Sequence, residues 1–519
     1  MSDQARDRLV FARGRPERNG WLLGLTIPQL ALCAGSCVPL LLMFGAGARA
    51  QALELTPAAM LVVVLGVVPV RGRPAARWLA DTTLHTAARR AGWSSFQSRA
   101  AAGLPAHRRE PDLPGGLGRL RPVEGPVMPE HGRVCVLHDT AEGRWGATAS
   151  LSARGIGLAS AHECAGMADG LRQLLRGLVD VGRIDRLTLL VRSVPDDGTA
   201  YQLWRDRHAV PRPPELVRAA HRELRAAIGS AAVRQESFVT VSAPDDALRR
   251  QARDAGGGPE GYAYALYRGL VGLTEPLQAM GCDAPHWLGP DAVAEVIRTG
   301  FNPGAAAVLA RRRLSRRTRP DREALDQADE ADPADEGLPW DLAGPSHAPS
   351  PSARSYTHDG YTTVSYTAVP SGAEIHFGAL APLLAVRRAG ERRCVAVHFE
   401  VVPQRVAARM VSRERQATTL LGDVKSARGF TRSATDARAG RAAHRSEDAV
   451  AAGEGLVRTS VTAAVTVPSH WNVEDHAEAL ETSAPGQFHL QRLELAQDSG
   501  FVAAAIPVGI GLTRLRSRW

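Results

Sequence analysis

The residue patterns that could bind phosphate are incomplete in this chain of 519 residues. A nucleotide-binding loop needs the spacing GxxxxGK(S/T) after a strand, because its backbone amides and its lysine hold the phosphates together. The single lysine, Lys425, lies in the sequence Gly-Asp-Val-Lys-Ser at 422–426, which lacks the earlier glycine. We therefore predict that the chain does not hydrolyse ATP by itself.

Two other polar segments are more typical of turns than of catalytic or phosphate-binding sites. Asp196 and Asp197 precede Gly198, and Pro-Asp-Asp-Gly is first of all a turn sequence. Gly256–Gly258 lies between a polar segment and a predicted helix, which favours a flexible turn over a phosphate loop. Neither segment predicts a site.

The histidines also lack the spacing of a joint site. His131 and His138 flank a predicted strand at a separation of seven residues, which places them on opposite faces. His470 and His476 span the start of a predicted helix, where we expect them to cap the helix or to face solvent. The patterns GxSxG, HExxH, DxDxDG and HxH are absent from the sequence. We predict no catalytic residue, no cofactor-binding residue, no metal ligand and no cofactor, and hence a protein that is not an enzyme.

The six cysteines are scattered, with no CxxC pair and no Cys/His spacing typical of zinc. This pattern argues against a disulfide scaffold and predicts reduced, mostly buried thiols in a cytoplasmic environment. The cysteines are Cys33, Cys37, Cys135, Cys164, Cys282 and Cys394.

The net charge of +9 comes from 63 basic and 54 acidic residues, and all the basic residues except Lys425 are arginine. A bias toward Ala, Arg and Gly is typical of a GC-rich genome, so the charge supports nucleic-acid binding only weakly. The 44% apolar fraction excludes a largely disordered chain.

Two apolar segments near the N-terminus predict a membrane hairpin. Asn19–Ala48 contains no charged residue and exceeds the ~20 residues that cross a ~30 Å hydrocarbon core. Leu55–Val70 is also free of charge but marginal in length, and we expect it either to recruit Ala50–Glu54 or to tilt less in the membrane. A cleaved signal peptide fits poorly, because the first segment is too long and a second follows at once. A buried helical hairpin in a soluble domain is the alternative.

The arginines predict the orientation of this hairpin, because positive charge is retained on the cytoplasmic side. Of the arginines in this region, only Arg49 lies between the two apolar segments. Both termini are therefore expected in the cytoplasm of a plasma-membrane protein. Residues 74–91 are expected to form either a helix along the membrane face or a plain connector helix. The flanking arginines are Arg6, Arg8, Arg13, Arg15 and Arg18 before the hairpin and Arg71, Arg73, Arg77, Arg89, Arg90, Arg99, Arg108 and Arg109 after it.

The remaining sequence predicts an α+β fold in two cytoplasmic blocks with mainly antiparallel sheets. In the first block, the order β-β-α-β-α-β-α suggests helices on one face of the sheet. In the second, Val457–Val467 alternates between apolar and polar residues, as a strand requires. The predicted regions are 1–74 (arm and hairpin), 75–129 (juxtamembrane helix and linker), 130–301 (first block), 302–355 (linker) and 356–519 (second block).

The predicted linker at 302–355 has segregated charge, which is typical of flexible connectors. An arginine cluster at 311–319 is followed by eight acidic residues at 321–336 and then by Pro and Ser. The arginines could contact phosphates or a membrane surface, but the acidic neighbour favours self-neutralisation or solvation.

These features together resemble a family of secretion proteins. The hairpin with its arginine-rich flank resembles the small PrgI-like subunit of type IV secretion and conjugation machines. The second block resembles the N-terminal, non-ATPase part of the large CagE/TrbE-type secretion ATPases. The residues that carry this second resemblance are Arg438, Arg441, Glu447, Glu454, Gly455, Thr459–Val467, Val473–Glu481 and Leu493–Gly511, with Ala504–Gly509 similar to the segment that precedes the nucleotide domain.

The whole layout resembles actinobacterial two-span membrane proteins that accompany separately encoded type IV-like ATPases. Further points of likeness are Gly155–Leu158, Val194–Gly198, and Leu383 with Leu384. The resemblance implies a non-enzymatic scaffold whose partners are membrane lipid, a secretion ATPase and other secretion subunits. A homo-oligomer is compatible with it, and nucleic acid is expected to be reached only indirectly. Two alternatives are an EccE-like subunit of type VII secretion and a membrane-bound enzyme with an unrecognised site.

Overall fold

The computed structural model describes most of the chain in two compact units. Residues 27–93 belong to a helical unit, and residues 94–401 together with 457–511 form a sheet unit. The described residues are 27–70, 73–105, 107–128, 132–155, 157, 159–195, 198, 204–205, 208, 210, 213–228, 233–318, 337–371, 375, 377–402, 406–407, 409, 412, 448 and 456–511.

The helical unit consists of three helices that follow one another with short connections. Helix α1 (Ile27–Gly45) and helix α2 (Arg49–Val67) pack together as a hairpin. Strands β1 (Pro69–Val70) and β2 (Arg73–Pro74) pair in antiparallel fashion and lead into helix α3 (Ala75–Arg90).

The sheet unit is built on one sheet of eleven strands, in which every pairing with a determined register is antiparallel. A separate small sheet pairs β3 (Phe96–Gln97) with β10 (His347–Ala348). The eleven strands are β4 (Leu120–Met128), β5 (Gly132–Asp139), β6 (Arg144–Leu151), β7 (Arg186–Pro195), β8 (Val233–Pro244), β9 (His286–Trp287), β11 (Tyr356–His358), β12 (Tyr361–Pro370), β13 (Arg392–Val402), β14 (Leu456–Pro468) and β15 (Phe488–Arg492).

Nine helices belong to the described part of the sheet unit, and this mixture of helices with antiparallel strands confirms the predicted α+β class. They are α4 (Ala161–Val181), α5 (Glu215–Ile228), α6 (Asp245–Asp254), α7 (Gly258–Val271), α8 (Thr274–Ala279), α9 (Pro290–Phe301), α10 (Ala305–Thr318), α11 (Val473–Thr482) and α12 (Gln497–Ala505).

The strand order joins the two blocks that the sequence predicts as separate. Along the sheet the order is β11-β12-β14-β13-β7-β8-β6-β5-β4, with β15 beside β12 and β9 beside β6. Strand β13 of the second predicted block pairs along its length with β7 of the first, from Arg393 opposite Ser193 to Glu400 opposite Arg186. The structure therefore differs from the predicted division at 301 and 356, because β7 and β13 are both apolar on two faces and each buries the other's edge.

Helices cover both faces of the sheet, which corrects the expectation of helices on one face. On one face, Leu187 and Val239 pack in a core with α4, α6 and α7. On the other face, Leu190 and Phe238 pack in a core with α9 and α12. Strands buried on two faces are apolar at consecutive positions, such as Phe238 and Val239, so period-two alternation is weak in them.

Parts of both predicted linkers are folded, which corrects the assignment of 75–129 and 302–355. Strand β4 is an edge of the sheet, where proline is tolerated because one row of amides needs no strand partner. Leu117 before it is fully buried. In the second region, Trp340 and Ala348 belong to the core, and α10 continues from α9 through a short turn. Residues 319–336 lie outside the described part of the chain.

A close helix crossing supplies a test of this packing. A Cβ atom at Gly170 of α4 would lie 2.4 Å from the carbonyl oxygen of Ala279 in α8, whereas a Cβ at Gly177 of the same helix meets nothing within 4 Å. We expect Gly170→Ala to lower the free energy of unfolding by about 2–3 kcal/mol, because backbone must move apart. Gly177→Ala should raise it by up to about 1 kcal/mol through helix propensity. Denaturant unfolding of both variants measures these changes. Equal changes in the free energy of unfolding would contradict the close contact between α4 and α8.

Candidate functional site

The hairpin presents an almost entirely exposed apolar surface. The exposed fractions are 69% for Leu41 in α1 and 68% and 66% for Leu53 and Met60 in α2. In the described part of these helices only Ala52 is buried. A core helix of a soluble domain would instead bury its apolar side chains. The surface is therefore of the kind that lipid or another apolar partner covers.

The helices differ in how far they satisfy the requirements of a membrane span. Among the described residues, α2 is the one helix long and apolar enough to cross a membrane by length and composition, and it includes Ala50–Glu54 as the sequence predicts. The apolar stretch Ala31–Gly45 of α1 is shorter. The side-chain amide of Gln29 in α1 donates to the carbonyl of Gly66 in α2 at 2.9 Å. The spanning of two helices stays a prediction.

Helix α3 follows the hairpin and has no buried residue. Leu79 and Leu84 are 51% and 65% exposed, and Trp93 just beyond the helix is 75% exposed. Arg89 and Arg90 lie in its last turn. Exposed aliphatic and tryptophan side chains next to arginines are typical of helices at a membrane interface.

The histidines singled out in the sequence lie in different surroundings. His138 stacks on Trp145 with ring centroids 4.1 Å apart, and Trp145 donates to Asp245 at 2.6 Å. His476 does not cap its helix or face solvent, which corrects the sequence expectation: its side chain is 12% exposed and contacts a buried carboxylate. Gly256–Gly258 forms the turn between α6 and α7, with positive φ at all three residues. His131, Asp196, Asp197 and Lys425 lie outside the described residues.

A buried acidic group organises the contact between β13 and α11. The Glu391 carboxylate is fully buried, pairs with the buried Arg393 guanidinium, and accepts from Nδ1 of His476 at 3.0 Å. Trp471 stacks on His476 at 5.4 Å, and Arg388 lies over the Trp471 ring at 4.1 Å. Because Glu391 has a cation on one side and a histidine N–H on the other, it fixes these elements together. Sequence spacing could not reveal this cluster, since its members are 85 residues apart.

A chain of hydrogen bonds crosses the second half of the sheet beside α9. Nδ1 of the fully buried His358 donates to the Phe301 carbonyl at 2.7 Å, so Nε2 accepts from Thr363 at 2.9 Å. Thr363 then accepts from Thr466 at 2.8 Å, and Thr466 accepts from Arg392 at 3.2 Å. Burial lowers the pKa of His358 to about 3, and the charge of Arg392 acts in the same direction. His358 is therefore neutral in the folded protein.

A second histidine, His398 on β13, lies half-buried on the same face of the sheet. His398 bonds to Thr188 through Nδ1 and to Thr462 through Nε2, both at 3.1 Å. The C-terminal apolar segment covers this position, since Thr462 donates to the carbonyl of Ala503 at 3.4 Å. Burial lowers the pKa of His398 to about 4. The hydroxyls of Thr462 and Thr466 in β14 are thus buried partners and do not face solvent.

These two histidines predict a loss of stability in mild acid. Below pH 6.5 the unfolded chain binds protons that the folded protein excludes, so the free energy of unfolding falls as the pH drops toward 4, by about 1.4 kcal/mol per pH unit for each histidine. Above pH 6.5 both histidines are neutral in both states and add no dependence. Denaturant unfolding between pH 7 and 4.5 measures the slope. His398→Gln should remove about half of it, and an unchanged slope would contradict this assignment.

Charged side chains at the β5–β6 turn neutralise each other. Arg119 lies 3.0 Å from Asp139 and 3.3 Å from Glu142, and Arg186 lies 2.9 Å from Glu142. Each of these carboxylates has a guanidinium partner, so the charges are compensated within the fold. Within the described ranges, no group of three or more His, Cys, Asp or Glu side chains could hold a metal ion.

None of the six cysteines forms a disulfide bond, but fewer of their side chains are buried than the sequence predicts. Cys135 and Cys394 are buried, whereas Cys37 is exposed on α1. Burial raises the pKa of the Cys282 thiol to about 11, which opposes thiolate chemistry there.

Comparison with known proteins gives no family for this chain. No protein-family model matches it, and no curated protein is significantly similar to it in sequence.

Proposed function

We propose that the chain is a non-enzymatic plasma-membrane component of a type IV secretion or conjugation-like machine, which docks a separately encoded ATPase. The observation that carries the proposal is the exposed apolar hairpin, with Leu41, Leu53 and Met60 about two-thirds exposed, joined to a large folded α+β unit. Lipid is the solvent in which such a surface is stable.

The arginine distribution supports an orientation for this anchor. Arg49 is the one arginine between the two apolar segments, whereas five precede the hairpin and eight lie between its end and residue 110. Retention of arginine on the cytoplasmic side would put the α1–α2 connection outside and the sheet unit in the cytoplasm. Helix α3, with exposed Leu84 and terminal Arg89 and Arg90, then lies at the cytoplasmic membrane surface.

The polar groups of the sheet unit favour a scaffold over an enzyme. Glu391, Arg393 and His476 hold two elements together, and the carboxylates at the β5–β6 turn are paired with arginines. Such groups stabilise the fold but offer a substrate no unpaired acid or base.

The assignment to a secretion machine rests on the sequence resemblance. The strand Thr459–Val467, the helix Val473–Glu481 and the segment Ala504–Gly509 are the resembling parts that lie among the described residues. They form β14, α11, and the end of α12 with the buried segment after it. Strand β14 and helix α11 share one core with β12 and β13, whereas Ala504–Gly509 packs in a second core that includes Ala464 of β14. In the large secretion ATPases that this resembles, such a module precedes the motor domain.

The test is affinity purification of the full chain from native membranes in a mild detergent, after chemical cross-linking. We expect the chain to capture a separately encoded secretion ATPase and other secretion subunits, with cross-links from the sheet unit. The control is the same purification with a membrane protein of unrelated function carrying the same tag. Recovery without any ATPase or secretion subunit would refute the docking role, and capture of a type VII ATPase would favour the EccE-like alternative.

A further inference from the structure

Exposed apolar side chains of the sheet unit concentrate in the connection between β7 and β8. Three large ones lie on helix α5, where Leu216, Val217 and Leu224 are 81%, 40% and 44% exposed. Trp204, earlier in the same connection, is 59% exposed. Elsewhere in the described part of this unit such residues occur singly, for example Val271 and Val308. A cluster of this kind marks a binding surface, whereas scattered apolar residues do not.

Helix α5 is amphipathic and no other described element packs extensively on it. At 100° per residue, Leu216, Val217 and Leu224 lie on one side, and Arg218 and Arg222 lie on the opposite side. An isolated helix of 14 residues is only marginally stable in water. We therefore expect the apolar side of α5 to be buried against another apolar surface.

The arginines on the polar side of α5 suit an anionic binding partner. Arg218 and Arg222 approach Glu215 at 2.5 and 3.4 Å, but all three side chains are more than half exposed. Exposed ion pairs contribute little, so these arginines can exchange the carboxylate for lipid phosphates. Trp204 adds an aromatic side chain of the type enriched at the membrane–water interface.

The topology of the sheet unit places α5 at the end where the chain arrives from the hairpin. The connection leaves the sheet at Pro195 and returns at Val233, which pair with each other. By the registers of β13, β14 and β12, the β11–β12 turn containing Asp359 lies at this same end. The Asp359 amide donates to the carbonyl of His347, which pairs with Gln97 in β3, the first strand of the sheet unit. Four strand spacings separate β7 from β11, which is roughly 20 Å.

We propose that α5 is a second membrane contact, which lies in the headgroup region of an anionic lipid surface with Leu216, Val217 and Leu224 inward. The inference rests on the proposed anchoring by the hairpin, which tethers the sheet unit to the membrane through the chain. The second contact fixes the orientation of the sheet unit on the membrane and leaves the opposite end of the sheet for a protein partner.

The test is hydrogen exchange of the full chain in lipid nanodiscs, read by mass spectrometry on peptides that cover 215–228. In discs with about one-third phosphatidylglycerol we expect amide exchange in α5 to be at least about tenfold slower than in phosphatidylcholine discs, and the protection should weaken at high salt. Leu216→Glu with Leu224→Glu should abolish the protection. Val271→Glu with Val308→Glu, which changes two exposed apolar residues elsewhere, should preserve it.

Three results would overturn the proposal. They are equal exchange in both kinds of disc, protection that survives Leu216→Glu with Leu224→Glu, and protection that arises only when an ATPase partner is added, which would make α5 a protein-binding helix. Whether the chain is captured in the discs at all tests membrane anchoring by the hairpin, separately from the role of α5. If capture fails, the anchoring proposal fails, and exchange in the presence of vesicles of the same two compositions still decides the role of α5.

Discussion

Glu391→Gln is expected to lower the free energy of unfolding by about 3–5 kcal/mol, because it leaves a buried cation without its counter-charge. Arg393 is fully buried and its carboxylate partner is Glu391, while His476 loses the acceptor at 3.0 Å from its Nδ1. Denaturant unfolding of the full chain in detergent, followed by the fluorescence of tryptophans such as Trp471 on the same cluster, measures this loss.

The same strand supplies a matched control for this substitution. Glu400 lies on β13 with Arg458 at 3.7 Å, and both side chains are about one-third exposed or more. Glu400→Gln should change stability by less than about 1 kcal/mol, because exposed ion pairs are worth little. If Glu391→Gln were as mild as Glu400→Gln, the buried cluster would not be holding α11 on the sheet. Replacing Arg393 as well, by Met, should recover part of the stability that Glu391→Gln removes.

Met60→Arg with Leu61→Arg is expected to release the chain from the membrane. Both residues lie near the middle of α2 and are 66% and 59% exposed, so each arginine would face hydrocarbon. Arginine at the centre of a span costs about 2.5–3.5 kcal/mol per residue, so two substitutions shift insertion by roughly 5–7 kcal/mol. The fraction of chain that stays in the pellet after alkaline carbonate extraction reports the shift.

The control places the same two charges on the sheet unit. Val271→Arg with Val308→Arg changes residues that are 55% and 66% exposed, and it should leave the chain in the membrane pellet. A Met60→Arg, Leu61→Arg chain that resists extraction as well as the unmodified one would show that α2 is not in lipid.

The elements with a clear period were predictable from the sequence. Strand β14 spans the alternating segment around Val457–Val467 as predicted, and helix α5 (Glu215–Ile228) has the apolar spacing of an amphipathic helix. The region from Gly258 to Ala279 forms two consecutive helices, α7 and α8, which are interrupted at Gly272. Strand β4 was hidden in a Gly- and Pro-rich stretch, because an edge strand tolerates residues that a central strand does not.

The long-range arrangement could not be predicted, because it depends on residues far apart in the chain. The pairing of β7 with β13 joins positions about 200 residues apart, and local periodicity contains no information about partners. The sequence predicts that His476 caps its helix or faces solvent, because no residue near it in the chain indicates its contact with Glu391. The hydroxyls of Thr462 and Thr466, on the polar side of the alternating strand β14, are buried against His398 and Arg392, which the alternation alone does not reveal.

Thiol labelling in oriented membrane vesicles tests the central claim most directly. The variant Ala46→Cys places a thiol in the α1–α2 connection, and the natural Cys164 on α4 reports the sheet unit in the same molecule. With a membrane-impermeant reagent and mass spectrometry, a hairpin with both ends in the cytoplasm predicts modification of the introduced thiol only in right-side-out vesicles and of Cys164 only in inverted vesicles. Modification of both thiols in one vesicle orientation would contradict a membrane-spanning hairpin.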